Sequence, residues 1–313
     1  MASHPNISAI VCTRNRGASA VMAVETILAN TYPSFELILI DQSTNCDTEQ
    51  SVAGFRSDPR FQYVRTTTNG LGRARNIGLR MARAPLVAFT DDDCTVPTDW
   101  LQITADILER ETRVTVLFCN VLPGEHDADA GFIPYYLRAD RKLVQSFWDK
   151  CQARGIGAGI AVRRDPILKI GGFDEELGAG GFFPSAEDAD IAVRAIAHGQ
   201  WVYETDEVAV VHYGFRTWRE GRELAKRDWL GLGAAYVKPL KAGKWGALII
   251  VLYELLVPCL IEPLSPLLRF RRPRGLGRMV AFVRGLVAGM RQPIDHEQIV
   301  YRIERESPVP AKA

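Results

Sequence analysis

Three consecutive aspartates, Asp91-Asp92-Asp93, follow directly on the apolar run Leu86-Val-Ala-Phe89. Like charges held beside an apolar segment cost on the order of several kcal/mol unless something compensates them. A divalent cation does so. Hard carboxylate oxygens suit Mn²⁺ or Mg²⁺, which take one or two protein carboxylates and complete their shell with phosphate oxygens and water. The alternative is an acidic turn that only starts the helix after Pro97-Thr98. Position favours the metal reading. The run Phe35-Glu-Leu-Ile-Leu-Ile40 ends on Asp41, and Ile7-Ser-Ala-Ile-Val-Cys12 is followed by Thr13-Arg14-Asn15-Arg16. In open α/β sheets ligands bind beyond the carboxyl ends of the strands, so these polar groups converge on one crevice.

Arg75, in the first turns of a helix entered through Gly70-Leu-Gly72, is placed to pair with a diphosphate, as guanidinium groups do well; a solvated surface arginine is the alternative. Ser185-Ala-Glu187-Asp188 has two readings. It fits a capping box with Ser185 as N-cap, and it also puts paired carboxylates at a helix start. His212 ends another apolar run, Val208 to Val211, and is either a metal ligand or a neutral core histidine.

The elements that position these groups follow from periodicity. Short β-rich runs at 7–12, 35–40, 61–64 and 86–89 alternate with helical patterns at 21–28, 73–83 and after Thr98, the signature of βαβ units and a mostly parallel sheet. Further strands are expected near 114–118, 158–162 and 208–211, and a helix from Ala186 to His198 closed by Gly199. The stretch between 119 and 148 shows no period.

Several classes are excluded. The Gly70-x-Gly72 pair lacks a third glycine, because Arg75 holds that position, and it does not follow the first strand. No Gly-x-x-x-x-Gly-Lys-Ser/Thr loop is present. The six cysteines form no Cys-x-x-Cys pair or zinc-spaced cluster, which fits a reduced cytoplasmic setting, and the first strand leaves no room for a secretory leader. Net charge is +1, with ten basic residues between Lys238 and Arg291 against Glu254 and Glu262, so the remainder is acidic. That basic segment is not interleaved with aromatics on a folded domain, which argues against nucleic acid.

The ordered set Ile10-Val-Cys-Thr13-Arg14-Asn15, Leu39-Ile-Asp41, Gly72-Arg-Ala-Arg75-Asn76-x-Gly78, Phe89-Thr-Asp-Asp-Asp93, Gly171-Gly-Phe-Asp-Glu175, Ser185-Ala-Glu187-Asp188 and Val210-Val-His212 resembles the family 2 inverting glycosyltransferases of the GT-A fold. The resemblance covers roughly residues 5–215. It implies an α/β nucleotide-diphospho-sugar transferase fold with a Rossmann-like, mixed but mostly parallel sheet. It further implies that Asp41 contacts the base, that Thr13, Arg14, Asn15, Arg75, Asp91 and Asp92 line the donor site, and that Asp93, with His212, holds the metal. Glu187 would lie on the acceptor side and Asp188 would be the catalytic base. The partners implied are a nucleotide-sugar donor, a UDP-sugar by default, and a saccharide or lipid-linked acceptor. A nucleotidyltransferase of related fold and a silent nucleotide-sugar-binding scaffold are the rivals. The first wants a basic Gly-rich loop after strand one that Thr13 to Gly17 does not supply, and intact carboxylates oppose the second.

These readings divide the chain into a catalytic domain at 1–235, a helical appendage at 236–306 and a loose tail at 307–313. Within the domain, 1–110 is the nucleotide half and 111–235 the acceptor half. In the appendage Trp245 to Leu268 is apolar but interrupted by Glu254, Glu262 and three prolines, which argues against a membrane span. A second segment, Leu276 to Met290, carries Met279, Val280, Val283, Leu286, Val287 and Met290 on one face. Peripheral docking on the cytoplasmic membrane face and packing on the domain or on a homodimer partner are the two open readings.

Overall fold

The computed structural model describes residues 5–270, 272–273 and 275–303; the expected tail at 307–313 lies outside them. The strands are β1 (Ile7–Thr13), β2 (Phe35–Asp41), β3 (Phe61–Arg65), β4 (Leu86–Asp91), β5 (Cys94–Thr95), β6 (Val114–Pro123), β7 (Gly131–Phe132), β8 (Lys142–Val144), β9 (Ile160–Arg163), β10 (Trp201–His212), β11 (Arg216–Thr217), β12 (Ile294–Asp295) and β13 (Val300–Tyr301). The helices are α1 (Ser19–Leu28), α2 (Asp47–Ser51), α3 (Leu71–Met81), α4 (Trp100–Arg110), α5 (Phe147–Lys150), α6 (Arg164–Lys169), α7 (Glu187–Ala197), α8 (Trp218–Lys241), α9 (Leu248–Leu256), α10 (Glu262–Leu264) and α11 (Gly277–Arg291).

One sheet runs β3-β2-β1-β4-β9-β6-β10-β5, with β8 beside β10. Strands β3, β2, β1 and β4 are mutually parallel, β9 is antiparallel to both β4 and β6, and β6 pairs parallel with β10. Strand β2 is buried at every position and β1 at all but one, as continuous apolar runs in the middle of a two-faced sheet must be. One face packs on α1 and α4 through Ala23, Val24, Ile27, Leu101 and Leu108; the other packs on α3 and α7 through Ala74, Leu79, Ile191 and Ala195.

The expected strand at 208–211 is the end of a twelve-residue strand, β10. A register shift between Glu204 and Ala209 carries the polar residues that disguised the rest. The aperiodic 119–148 stretch holds the end of β6, two very short strands and the start of the one-turn α5.

The C-terminal helices differ most from expectation. The 235/236 division falls inside α8, a 24-residue helix whose Lys238 is fully buried against the catalytic core. The prolines do not break the 245–268 run: helix continues from Trp245 to Leu268 through a π-turn at Val257–Ile261, long and apolar enough to cross a membrane by length and composition. On α11 the side facing α8 is the small one, Ala281, Gly285 and Gly289 with Phe282, while Val280, Val283, Val287 and Met290 point outward. A Cβ on Gly285 would lie 2.1 Å from the Leu230 carbonyl oxygen, so glycine sets this crossing.

Candidate active site

The carboxyl ends of β1, β4 and β10 open into one cleft of about 560 Å³. The β4–β5 turn carries Asp91 to Asp93, and antiparallel pairing sets His212 opposite Cys94. Asp91, Asp93, Cys94 and His212 thereby bring one ligand atom each within 4.8 Å of one another. His212 Nδ1 lies 2.9 Å from the Pro134 carbonyl oxygen, which can only accept, so that nitrogen carries a proton. In the neutral ring Nε2 is then a lone pair, 3.2 Å from Asp93 Oδ1. Two acceptors face each other there, and either a proton on His212 or a cation between them resolves the repulsion. Without a cation, burial disfavours the charged ring, but the Asp93 contact outweighs it and raises the His212 pKa. Burial works likewise against the Asp93 carboxylate, and contacts from His212 and Arg16 still hold its pKa below the usual value. The donor set of two carboxylates and an imidazole fits a hard divalent ion.

Asp92 points elsewhere: its Oδ2 accepts from Thr13 Oγ1 at 2.7 Å, and burial pushes its pKa up to about 6. It ties the β1 loop to the metal corner. Arg16 joins them, 2.7 Å from Asp93 and 3.4 Å from Asp92. This arginine was not singled out in the sequence because nothing distinguishes it from any loop arginine. Arg14 lines the cleft and donates to Asn69 at 2.6 Å. Asn15, in a left-handed conformation, does not line the cleft; its Oδ1 accepts from the Thr44 N–H and its own N–H donates to Ser43 Oγ, stitching the loops after β1 and β2. Asp41 is fully buried behind the wall, its carboxylate accepting from the Ser43 N–H and the Tyr63 hydroxyl, each at 2.7 Å. Gln42, one residue on, lines the cleft instead.

Arg75 is not a solvated surface arginine. Its buried guanidinium bonds Glu187 Oε1 at 3.1 Å, Asp91 Oδ1 at 3.4 Å and the Gly157 carbonyl at 3.2 Å. It therefore links the metal corner to the start of α7. Burial, then the neighbouring Asp188 charge, pushes Glu187 up to about 7. The expected capping box is not formed. Ser185 Oγ donates to Asp228 Oδ1 at 2.7 Å, and the N-cap is Ala186, in a left-handed conformation at φ 75°. Such strain in a non-glycine residue persists where the surroundings impose it, typically at a working site. Asp188 is half-buried and lines the cleft, its Oδ2 accepting from the Gly157 N–H at 2.8 Å and its Oδ1 from the Ala189 N–H at 2.6 Å. The Asp188 side of the cleft also contains Lys150, Arg154, Asp228 and Tyr236. These came from the end of α5, the segment after it and α8, where no local pattern marks them.

A Rossmann-like half-sheet that ends in acidic residues, extended by a mixed half carrying a second acid across one cleft, defines a sugar-nucleotide transferase of the GT-A fold. Solved neighbours agree. A mannosyltransferase of Pyrobaculum calidifontis in complex with GDP-Man and Mn²⁺ superposes with a TM-score of 0.61 at 17% identity, covering 92% of this chain and 88% of that one. Residues 1–349 of S. aureus TarS in complex with UDP-GlcNAc give 0.65 at 16%, covering 91% and 80%. The chain belongs to glycosyl transferase family 2, whose model matches residues 8–170, and it is a glycosyltransferase. It is 25% identical over 222 residues to the glucosyl-dolichyl phosphate glucuronosyltransferase of Haloferax volcanii, 67% of this chain and 71% of that protein. It is 27% identical over 227 residues to the putative colanic acid biosynthesis glycosyl transferase WcaA of Escherichia coli, 68% of this chain and 75% of that protein, whereas of three Rickettsia glycosyltransferases it spans 18% or less.

Proposed function

We propose that the chain moves a sugar from a nucleoside diphosphate donor, UDP by default, to a hydroxyl of a saccharide or lipid-linked acceptor, with inversion and with Mn²⁺ or Mg²⁺. One observation carries this reading: the Asp91, Asp93 and His212 ligand set and the Asp188 carboxylate face one cleft, bridged by Arg75. When bound there, a divalent ion would stabilise charge on the departing diphosphate. The Mn²⁺ in the Pyrobaculum mannosyltransferase supports that choice. Thr13, Arg14 and Arg16 flank the same corner, and the Arg14 guanidinium N–H groups not spent on Asn69 offer donors to phosphate oxygens. On the other side Asp188 accepts the proton of the attacking hydroxyl, its orientation fixed by the Gly157 N–H. A single displacement needs this base and no nucleophilic carboxylate. Asp41, through Ser43 and Tyr63, sets the wall behind the base-binding loop.

UDP should raise the melting temperature only when Mn²⁺ or Mg²⁺ is present, because Asp93 would hold an ion whose charge offsets that of the diphosphate. Equal stabilisation in excess chelator, or an unchanged metal requirement in Asp93→Ala, sinks this assignment.

The outward faces of α9 (Leu248, Ile249, Leu252, Leu256) and α11 (Val280, Val283, Val287, Met290), with exposed Lys244, Arg272, Arg284 and Arg291, support peripheral docking on an anionic bilayer. The lipid-phosphate substrate named for the Haloferax relative fits such a location. The full chain should co-sediment with phosphatidylglycerol vesicles at low salt and release as salt screens its charges, the Debye length being about 10 Å at 0.1 M. Leu252→Glu with Val283→Glu should abolish binding. A chain that stays in the supernatant at low salt uses this face for a protein partner or a second copy instead.

A further inference from the structure

The acceptor half of the cleft ends where α5 and the 151–157 segment meet α9 and α8. Two cations line it there, Lys150 and Arg154. Lys150 is only 5% exposed, yet its ammonium bonds just the Ala153 carbonyl, and no acidic oxygen lies within salt-bridge distance among the described residues. The neighbouring acids are engaged elsewhere. Glu204 takes Arg138, the Tyr136 hydroxyl and the Gly155 N–H; Asp188 takes the Gly157 and Ala189 N–H groups. Burial accordingly lowers the Lys150 pKa. Arg154 spends only Nη2, which holds both oxygens of Glu254 at 2.9 Å, and its Nη1 and Nε carry no bond among the described residues. Glu254 is itself buried, at 2% exposure, in the middle of the apolar helix. This explains an acid in that helix: it anchors Arg154 through Nη2 and leaves the other guanidinium donors unspent. By contrast the buried Arg75 and the metal-corner Arg16 are committed to carboxylates.

Resting on the proposed transfer reaction, we infer that Lys150 and Arg154 form an anion subsite for a phosphate group on an amphiphilic acceptor. A buried ammonium with unused protons is matched by an anionic oxygen, and the planar guanidinium fits phosphate as an ordinary hydroxyl does not require. The same half of the cleft offers Leu224, Leu232 and Tyr236 of α8 to an apolar portion. Lipid phosphate and free phosphate share the headgroup chemistry; the apolar lining selects the first.

The test uses the full chain saturated with UDP and Mn²⁺, so that the donor half is filled, and titrates dodecyl phosphate below its micelle concentration by calorimetry. Wild type should bind it, and Lys150→Met should weaken binding about tenfold or more, as loss of a charge-assisted bond does, with UDP affinity within about twofold. Because Arg154→Met strands buried Glu254, the neutral pair Arg154→Met with Glu254→Leu is measured beside it and should show the same loss with a near-normal melting temperature. Dodecyl maltoside should not compete. Equal affinity of wild type and both variants for dodecyl phosphate overturns the subsite, and inorganic phosphate binding as tightly as dodecyl phosphate overturns the lipid assignment. Failure of wild type to bind UDP with Mn²⁺ at the outset strikes the donor reading instead, which keeps the two failures apart.

Discussion

Asp188→Asn should lower sugar transfer by about 10² to 10⁴-fold while nucleotide affinity stays within about twofold. The carboxylate sits at the first turn of α7, where the helix dipole favours its charge, and the Gly157 N–H fixes one oxygen. Asparagine keeps the size and can still accept that bond, so the loop and the strained Ala186 turn stay in place. What it cannot do is take the proton of the attacking hydroxyl. In the proposed reaction the donor lies on the far side of Arg75, beside the acidic corner and the β1 loop, and should not register the change. If Asp188 only supports the helix, as the Ala189 N–H contact alone would have it, stability falls by roughly 0.5 to 2 kcal/mol and transfer survives. Transfer rate, UDP affinity and melting temperature measured on this one variant separate the two. Near-normal transfer removes Asp188 from the mechanism.

What the sequence made legible was whatever a buried parallel sheet forces into local pattern. Strands β1, β2 and β4 are apolar on both faces, so their ends stand out, and Thr13, Asp41 and Asp91 could be placed at one edge from spacing alone. An acidic corner followed, because three acids at such an edge need a counter-charge. Of the roles within it, the Asp93–His212 pairing came only from the family resemblance, and that of Asp92 was not legible. Asp92 turned to Thr13 and Asp93 to His212 only through the β4–β5 turn and the antiparallel β5–β10 pairing, a contact across 119 residues that no local period records. Arg75 read as a diphosphate or surface arginine because its partners, Glu187 and Gly157, come from elements far along the chain. Lys150 and Arg154 lay in a stretch held by tertiary bonds instead of periodicity. The α11 face was left open between a membrane and the domain, and most of it turns outward for a physical reason: helix crossings at glycine bury small residues and leave the larger ones outside.

Lys238→Met should destabilise the fold by roughly 3 to 5 kcal/mol, because it leaves buried Asp174 without a counter-charge and Asp190 with Arg194 alone. In the sequence this lysine counted toward a basic, solvated tail. In the structure its side chain has no exposure, and its ammonium contacts Asp174 of the Gly171-Gly-Phe-Asp loop and, at 2.7 Å, Asp190 of α7. Asp190 also holds Arg194 at 2.8 Å, which bonds the carbonyls of Ile170 and Gly172, and Asp174 accepts from the Tyr301 N–H at 2.9 Å. Two cations and two anions thus form a neutral, fully buried set joining α7, α8 and the β13 strand behind Asp188. Such a set contributes little net stability when intact, since desolvation offsets attraction, but removing one member leaves charge in a low-dielectric interior. Methionine matches the length, so the loss is electrostatic and not a cavity. The melting temperature should fall by about 10 °C. Adding Asp174→Asn to Lys238→Met should recover part of that fall, because it leaves the buried Asp190–Arg194 pair neutral with no lone carboxylate beside it. A single variant that melts within about 2 °C of wild type would show that α8 is held by its apolar contacts alone.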